Sequence, residues 1–267
     1  GFEYNVGGNK TTIRNRMTKL NGGTPISDGP FRNGSMYLTY TNEGMPIGAF
    51  WGYKTDGLIQ TQEQLNAVKR ADFQPNAELG DVLFVDTNGD GKLDSSDRCM
   101  IGNPIPDIIY GINMGMAWKG FDLNLQFGGT IGNQIFNAMR YYTYFPNAIT
   151  NKDRALMNYW TPNNTYTDIP RLTATDVNDN DRFSDMYVEN GTYFRLRNAQ
   201  LGYTLPASLT QRIKLQKVRF YVSGQNLFTI SSYSGMDPEV GQSSSLSRGL
   251  DYGIYPQNIS FTGDINV

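Results

Sequence analysis

The chain has 267 residues, 25 acidic against 23 basic side chains for a formal net charge of −2, no His and one Cys. Without His there is no imidazole-activated Ser or Cys nucleophile of the usual kind and no His zinc site. One Cys closes no intrachain disulfide, and a charge so near neutral gives no electrostatic footprint for nucleic acid. Only 39% of residues are hydrophobic, whereas Gly (29), Tyr (17) and Phe (14) are abundant. No run approaches the ~20 apolar residues of a membrane helix, and no charged-then-apolar signal segment opens the chain. A membrane strand, however, needs only ~9 to 11 residues with alternate side chains apolar, so period two is the informative pattern.

In chain order, Phe2, Tyr4 and Val6 alternate weakly with Glu3, Asn5 and Gly7. After a long connection, about 21–106, Ile108, Tyr110, Ile112, Met114, Met116 and Trp118 share one side, with Gly111, Asn113, Gly115 and Ala117 opposite. Lys119-Gly120 is a two-residue connection fit for a tight hairpin. Next, Phe121, Leu123, Leu125, Phe127, Gly129 and Ile131 face away from Asp122, Asn124, Gln126, Gly128 and Thr130. A second long connection, 132–191, leads to 198–205, where Ala199, Leu201, Tyr203 and Leu205 oppose Asn198, Gln200, Gly202 and Thr204. Beyond a short connection, 206–216, Val218, Phe220, Val222, Gly224 and Phe228 alternate with polar residues, and Asn226 and Leu227 break the pattern. A connection at 230–256 precedes the last segment, which sets Ile259, Phe261, Ile265 and Val267 against Asn258, Ser260, Thr262, Asp264 and Asn266.

Alternation alone also fits an antiparallel sandwich with one wet face. The connections discriminate. Structureless loops beyond ~12 to 15 residues are uncommon in compact domains, and here long connections alternate with short ones, as in outer-membrane barrels with short periplasmic turns and long outer loops. Trp118, Phe121, Tyr203 and Phe220 near the short connections, and Tyr110 and Phe228 toward the long ones, stand at the heights of two aromatic girdles. Six strands are too few to close a barrel, for which about eight are the working minimum, and lipid tolerates no open edge. The pattern therefore predicts an all-β fold, an antiparallel transmembrane β-barrel segment comprising the last six or so strands of a large barrel. Either a C-terminal fragment of a longer chain or one contributor to an oligomeric barrel would satisfy it; the fragment is favoured, with outer loops at about 21–106, 132–191 and 230–256.

Asp86, Asn88, Asp90, Lys92 (through its carbonyl), Asp94 and Asp97 repeat the EF-hand loop spacing, with Gly91 at the sharp turn. A hard cation wants six or more oxygens, so Ca2+ is expected here ahead of Mg2+, which keeps its waters. A metal-free turn held by Asx hydrogen bonds is the competing expectation. The strand-like Asp81–Val85 precedes the loop, and in either case the loop stiffens structure. Trp51, Tyr53, Tyr141, Tyr142 and Tyr144 are candidates to stack on a solute, or equally to pack the loops onto themselves. The run 176–181 reads as solvated loop or a second ion site, Cys99 as a small packed side chain, and Arg195 and Arg197 as interior salt-bridge partners or rim charges. Carboxylates such as Asp122 and Asp264 lie in no catalytic context, so neither an enzyme nor an organic cofactor is expected.

Residues 86–98 with Ile101-Gly-Asn-Pro104, Tyr110-Gly111 and Trp118-Lys-Gly-Phe121-Asp-Leu resemble the C-terminal half of SusC/RagA-type TonB-dependent outer-membrane transporters of Bacteroidetes. So do Pro46–Gly57, Tyr193–Tyr203, Val222–Thr229 and Asp251–Pro256. The resemblance implies a large barrel in the outer membrane with its long loops at the cell surface, and an N-terminal plug and TonB-contacting segment outside this chain. It also implies a SusD-like surface lipoprotein, glycan or peptide substrates, and energy from the TonB–ExbB–ExbD complex. Such barrels usually finish on an aromatic residue, whereas position 267 is Val. On this reading Asn113, Asp122, Asn124, Gln126, Asn198, Gln200 and Gln225 face the lumen. Ile112, Met114, Leu123, Leu125, Phe127, Leu201, Phe220, Val222, Phe261 and Ile265 face lipid. The alternative from another class is a soluble calcium-stabilised β-rich carbohydrate-binding module.

Overall fold

The computed structural model describes residues 1–32, 34–145, 150–241 and 244–267. Six long strands, β1 (Phe2–Thr12), β2 (Ile108–Trp118), β3 (Phe121–Ile131), β4 (Tyr193–Thr204), β5 (Arg219–Ser231) and β6 (Ser260–Asn266), form one sheet. Each strand pairs antiparallel with its successor. The alternation marks β1 only to Gly7; its register with β2 continues without slip to Thr12↔Ile108, because Gly8 and Lys10 interrupt the apolar series without interrupting the backbone ladder.

Register turns six separate alternations into two continuous faces. One cross-sheet row reads Tyr4, Met116, Leu123, Leu201, Val222, Gly263, and the next Val6, Met114, Leu125, Ala199, Gly224, Phe261. The intervening row, on the opposite face, reads Asn5, Gly115, Asn124, Gln200, Ser223, Thr262. The broken alternation at Asn226 and Leu227 is a bulge. Leu196 pairs with Phe228 and Asn198 with Gln225, leaving Arg197 on one strand and Asn226-Leu227 on the other without cross-strand partners. Asn226 takes φ 54° there, and the offset keeps both faces in phase on either side, as bulges do.

The tight turn has positive φ at both Lys119 (47°) and Gly120 (88°), the type I′ conformation that matches strand twist. Near this end, on the polar face, Arg219 makes a bidentate pair with Asp122, Nε to Oδ1 at 2.9 Å and Nη2 to Oδ2 at 2.5 Å. The pair reaches across β4 at Gly202, where an added Cβ would run into the guanidinium.

At the other end the three long connections, 13–107, 132–192 and 232–259, fold together into a cap with its own structure. Strands Ile26–Phe31, Met36–Thr41, Ala49–Gly52 and Cys99–Gly102 form an antiparallel sheet. Thr55–Leu58 pairs with Val82–Phe84, and the helix Gln62–Arg70 starts with a Thr61/Gln64 capping box. Gln134–Asn137 pairs antiparallel with Val188–Asn190 and parallel with Leu250–Asp251, stitching the second connection to the third. The cap core draws on all three: Phe31, Leu38 and Phe50 from the first, Phe136, Tyr141, Phe145, Phe183 and Tyr187 from the second, Leu250 from the third. Phe31 and Phe183 meet edge to face at 5.0 Å. The first connection also buries a small cluster of its own, Ile59, Leu65 and Ala77, and shares another with Trp160 of the second.

Gly202→Val is expected to displace Arg219 from Asp122 and destabilise the sheet by about 1 to 3 kcal/mol, the usual cost of overpacking. The urea midpoint of the complete receptor in detergent micelles reads it.

Candidate functional site

The seven polar residues assigned to the lumen all lie on the polar face. Asn113, Gln126, Asn198 and Gln225 stand side by side in one row on successive strands, and Asn124 and Gln200 are neighbours in another. Directly opposite side chains on such a sheet lie ~4.5 to 5.5 Å apart, so the four carboxamides form a ladder, each with donors and an acceptor for water or a polar solute. Asp122 differs, since Arg219 occupies both of its oxygens. Small residues make room on this face: a Cβ on Gly115 would approach Asn5 Oδ1 to 2.6 Å.

Where the polar face meets the cap, Arg195 is 1% exposed. Its Nε donates to Thr229 Oγ1 at 2.8 Å, Nη2 to Asp237 Oδ1 at 2.5 Å and Nη1 to Glu239 Oε2 at 2.9 Å. Arg197 donates to Glu239 Oε1 at 3.1 Å and to the Tyr193 hydroxyl at 3.0 Å. Asp237 also accepts the Gln257 N–H (3.0 Å) and the Glu239 N–H (2.8 Å). Burial alone would raise the Asp237 carboxyl, but those N–H groups and Arg195 prevail and hold it below the ordinary carboxylate range. Farther along, the Tyr233 hydroxyl donates to Asp251 Oδ2, and burial with that neighbouring carboxylate drives the phenol far up. The third connection is thus tied to the wall by buried charge. The sequence offered Arg195 as a salt-bridge partner or a rim charge; the structure makes it the former. Its partners lie in a connection with no periodic pattern to mark them.

The acidic loop is closed on itself. Asp86 accepts the N–H groups of Gly89 (2.6 Å) and Gly91 (2.8 Å), Asn88 that of Asp90 (2.8 Å) and Asp90 that of Lys92 (2.9 Å). The Gly91 N–H lowers the Asp86 carboxyl; desolvation opposes it, and the N–H groups of Gly89, Asp90 and Asn88 add to the lowering. Asp94 caps the turn Ser95–Asp97 through the Ser96 N–H, which likewise lowers its carboxyl. Asp97 is fully buried, one oxygen on the Thr87 N–H (3.0 Å) and the other on that of Asp94 (3.0 Å). Among the described residues no three acidic, His or Cys side chains gather closely enough to hold a metal ion. In this arrangement the loop's carboxylate and amide oxygens accept backbone N–H groups.

The five aromatic candidates do not form one platform. Trp51 stacks on Tyr40 at 4.4 Å, and Tyr53 meets Phe84 edge to face with the Arg182 guanidinium 5.7 Å from its ring centre. Tyr142 lies edge-on to Tyr141, and Arg140 sits 4.5 Å over Tyr144. Tyr141 is a correction to the solute-stacking expectation: its ring is buried in the cap core among Phe31 and Phe183, so it has no free face for a solute. Its hydroxyl donates to Asp181 at 3.0 Å, and burial together with Asp181 pushes the phenol up to about 12.

The run 176–181 is a second correction, because it is not a solvated loop. Asn178 and Asn180 are buried; Gln74 Nε2 donates to Asn178 Oδ1 (3.0 Å), and the Val82 N–H donates to Asn180 Oδ1 (2.8 Å). These amides act as strand partners for Val82–Phe84, a role that spacing does not reveal. Cys99 is half-buried and its thiol is raised by that burial. The sequence also missed a cleft of about 750 Å³ in the cap, lined by Thr55, Asp56, Gln60, Gln64, Asp168 and Asp185 among others. Its walls come from two connections separated by the β2–β3 hairpin, so no single segment announces it.

No family model matches the chain. TonB-dependent receptor P3 of Formosa agariphila is 36% identical to it over 278 residues, covering 100% of the chain and 27% of that receptor. The chain belongs to the TonB-dependent receptors. SusC of Bacteroides thetaiotaomicron, another TonB-dependent receptor, is 27% identical over 261 residues, 97% of the chain and 24% of SusC. The chain thus spans about a quarter of the length of these receptors. The solved RagAB peptide transporter superimposes with a TM-score of 0.73 over 99% of the chain and 26% of its own, at 24% identity; the fold is that of the SusC/RagA-type receptor barrel.

Asp237→Ala is expected to strand buried Arg195 and cost about 3 to 5 kcal/mol, seen in the complete receptor as faster hydrogen exchange across 232–259 with β2 and β3 unchanged. A depressed carboxyl stabilises above its unfolded pKa of about 3.9, and that contribution is lost as pH falls through the lower folded value. Exchange in 232–259 should therefore accelerate below about pH 4 in the native receptor and stay flat in Asp237→Asn.

Proposed function

We propose that this chain supplies wall and surface loops to an importer that carries a glycan, oligosaccharide or peptide across the bacterial outer membrane. The observation that carries the reading is the pair of unbroken faces: lipid takes the apolar one, and the amide ladder of Asn113, Gln126, Asn198 and Gln225 lines the interior. The cap stands at the cell surface, with Trp51, Tyr53, Tyr142 and Tyr144 available at its half-buried positions for a solute. A SusD-like lipoprotein sits over the cap, and TonB–ExbB–ExbD acts through receptor segments beyond this chain. Relatives that are receptors, and a structural neighbour described as a peptide transporter, support transport over catalysis.

A soluble carbohydrate-binding module is disfavoured by the central strands of the sheet. Leu201 is 48% exposed, Val222 60% and Ile230 64%, and they belong to one apolar face of adjoining strands, the kind of surface that marks a membrane or partner contact. Calcium at the acidic loop is a separate proposal that rests on ligand spacing. It predicts heat on titrating calcium into the metal-free receptor, abolished by Asp86→Ala; no heat leaves the loop held by its Asx turns alone.

Leu125→Arg is expected to cost about 2 to 4 kcal/mol near mid-bilayer, so that receptor at the cell surface and growth on the imported nutrient both fall. Gln126→Arg, one residue along and on the other face, should preserve the amount of receptor at the cell surface. Equal effects at the two positions, or growth indifferent to deletion of the receptor, would overturn the proposal.

A further inference from the structure

Between Glu3 and Asp28 the chain has four basic residues, Lys10, Arg14, Arg16 and Lys19, and no acidic one. All four are exposed. Among the described residues the ion pairs use Arg140, Arg171, Arg182, Arg195, Arg197 and Arg219, and none uses these four. Six other arginines find carboxylates within the fold; these four do not, and they differ from other unpaired basic residues such as Arg154 and Arg212 in following one another along a stretch with no acidic residue.

Its position is fixed. Lys10 lies in β1 opposite Tyr110, on the apolar face, where Tyr110, Phe194, Phe127 and Phe228 form a chain of ring contacts 5.2 to 6.5 Å apart. That belt is the upper aromatic girdle. The segment after β1 is anchored: Ile13 N–H donates to Asp107 O (3.0 Å), Met17 N–H to Met45 O (2.7 Å), and Asn15 Oδ1 accepts the Ile47 N–H (2.8 Å). Ile13 and Met17 are half-buried, whereas Arg14, Arg16, Thr18 and Lys19 are exposed. Past the last ladder bond at Thr12 the segment has no strand pairing and exposes Arg14, Asn15, Arg16, Thr18 and Lys19 together. Glu43, the carboxylate that touches this segment, accepts the Leu20 N–H at 2.9 Å.

We propose that Lys10, Arg14, Arg16 and Lys19 form a binding strip for the phosphate groups of outer-leaflet glycolipid. The inference rests on the membrane reading above, which sets the strip at headgroup height on the lipid side. Arginine pairs bidentately with phosphate, and basic side chains at a charged membrane surface each contribute about 1 kcal/mol. An anchored backbone presents them with little further ordering, and their long stems can lie along the apolar wall below.

The test uses the complete receptor in nanodiscs with two fluorescent probes, a phosphorylated lipid A and the same lipid after enzymatic removal of its phosphates. Wild type should prefer the phosphorylated form by at least roughly tenfold at low salt. The triple variant Arg14→Gln/Arg16→Gln/Lys19→Gln should lose that preference, and Arg212→Gln, at the short-turn end, should keep it. Equal binding of both probes by wild type overturns the proposal. So does displacement of the lipid by equimolar inorganic phosphate, which marks a small-anion site, and so does a triple variant that keeps its lipid preference but loses the surface lipoprotein, which marks an acidic protein partner. A receptor that never enters nanodiscs fails the membrane reading; one that enters and ignores phosphate fails this inference alone.

Discussion

A strand surrounded by lipid has no water to satisfy its backbone, so every N–H and C=O must pair sideways with another strand. That obligation organises the six-stranded sheet. It demands long strands in continuous register, and β1 to β3 supply eleven residues each. It also forces any extra residue to be absorbed locally. The paired irregularity at Arg197 and Asn226-Leu227 does this, so the apolar rows above and below it remain rows. Polarity then follows from geometry, because period two gives each strand one side for lipid and one for the interior.

The cap obeys a different rule. The long connections hold shape by pooling apolar side chains, most of them rings in the largest cluster, and by burying charge where the cap meets the wall. Arg195 is the hinge-pin of the second device: it sits on a wall strand, but its carboxylates arrive from 232–259. A buried ion pair is costly to desolvate; what it gives here is a single docking position for a connection that has little regular structure of its own.

Legibility in the sequence tracked these two regimes. Strands β2 and β3 were readable residue by residue because both their faces are chemically uniform. β4 was read only from Asn198, since the bulge at Arg197 inverts the phase of Tyr193–Leu196 and hides the first turn of the pattern. β1 was half-read because Gly8 and Lys10 occupy apolar positions. Of the cap strands only Val82–Phe84 was read, inside the strand-like Asp81–Val85; the others, two to six residues long, are too short to show a period, and the amide network of Gln74, Asn178 and Asn180 escaped because its residues are polar but buried. The acidic loop was legible as a turn, since Gly89 and Gly91 take the positive φ its spacing requires. Its oxygens also accept backbone N–H groups, which a list of ligand positions does not show.

The parallel pairing of Phe136 with Leu250 and Asn137 with Asp251 bears on how such a surface can diversify. Because one short strand is shared between two connections, and Leu250 completes a core built mainly by residues of the other two, the connections are not interchangeable cassettes. A graft that replaced one of them with a foreign sequence would uncover rings in its neighbours and unpair a strand it never touched. Variation confined to side chains on the outer skin of the cap costs nothing of the kind, so new recognition surfaces can arise by point substitution there far more readily than by exchange of whole loops.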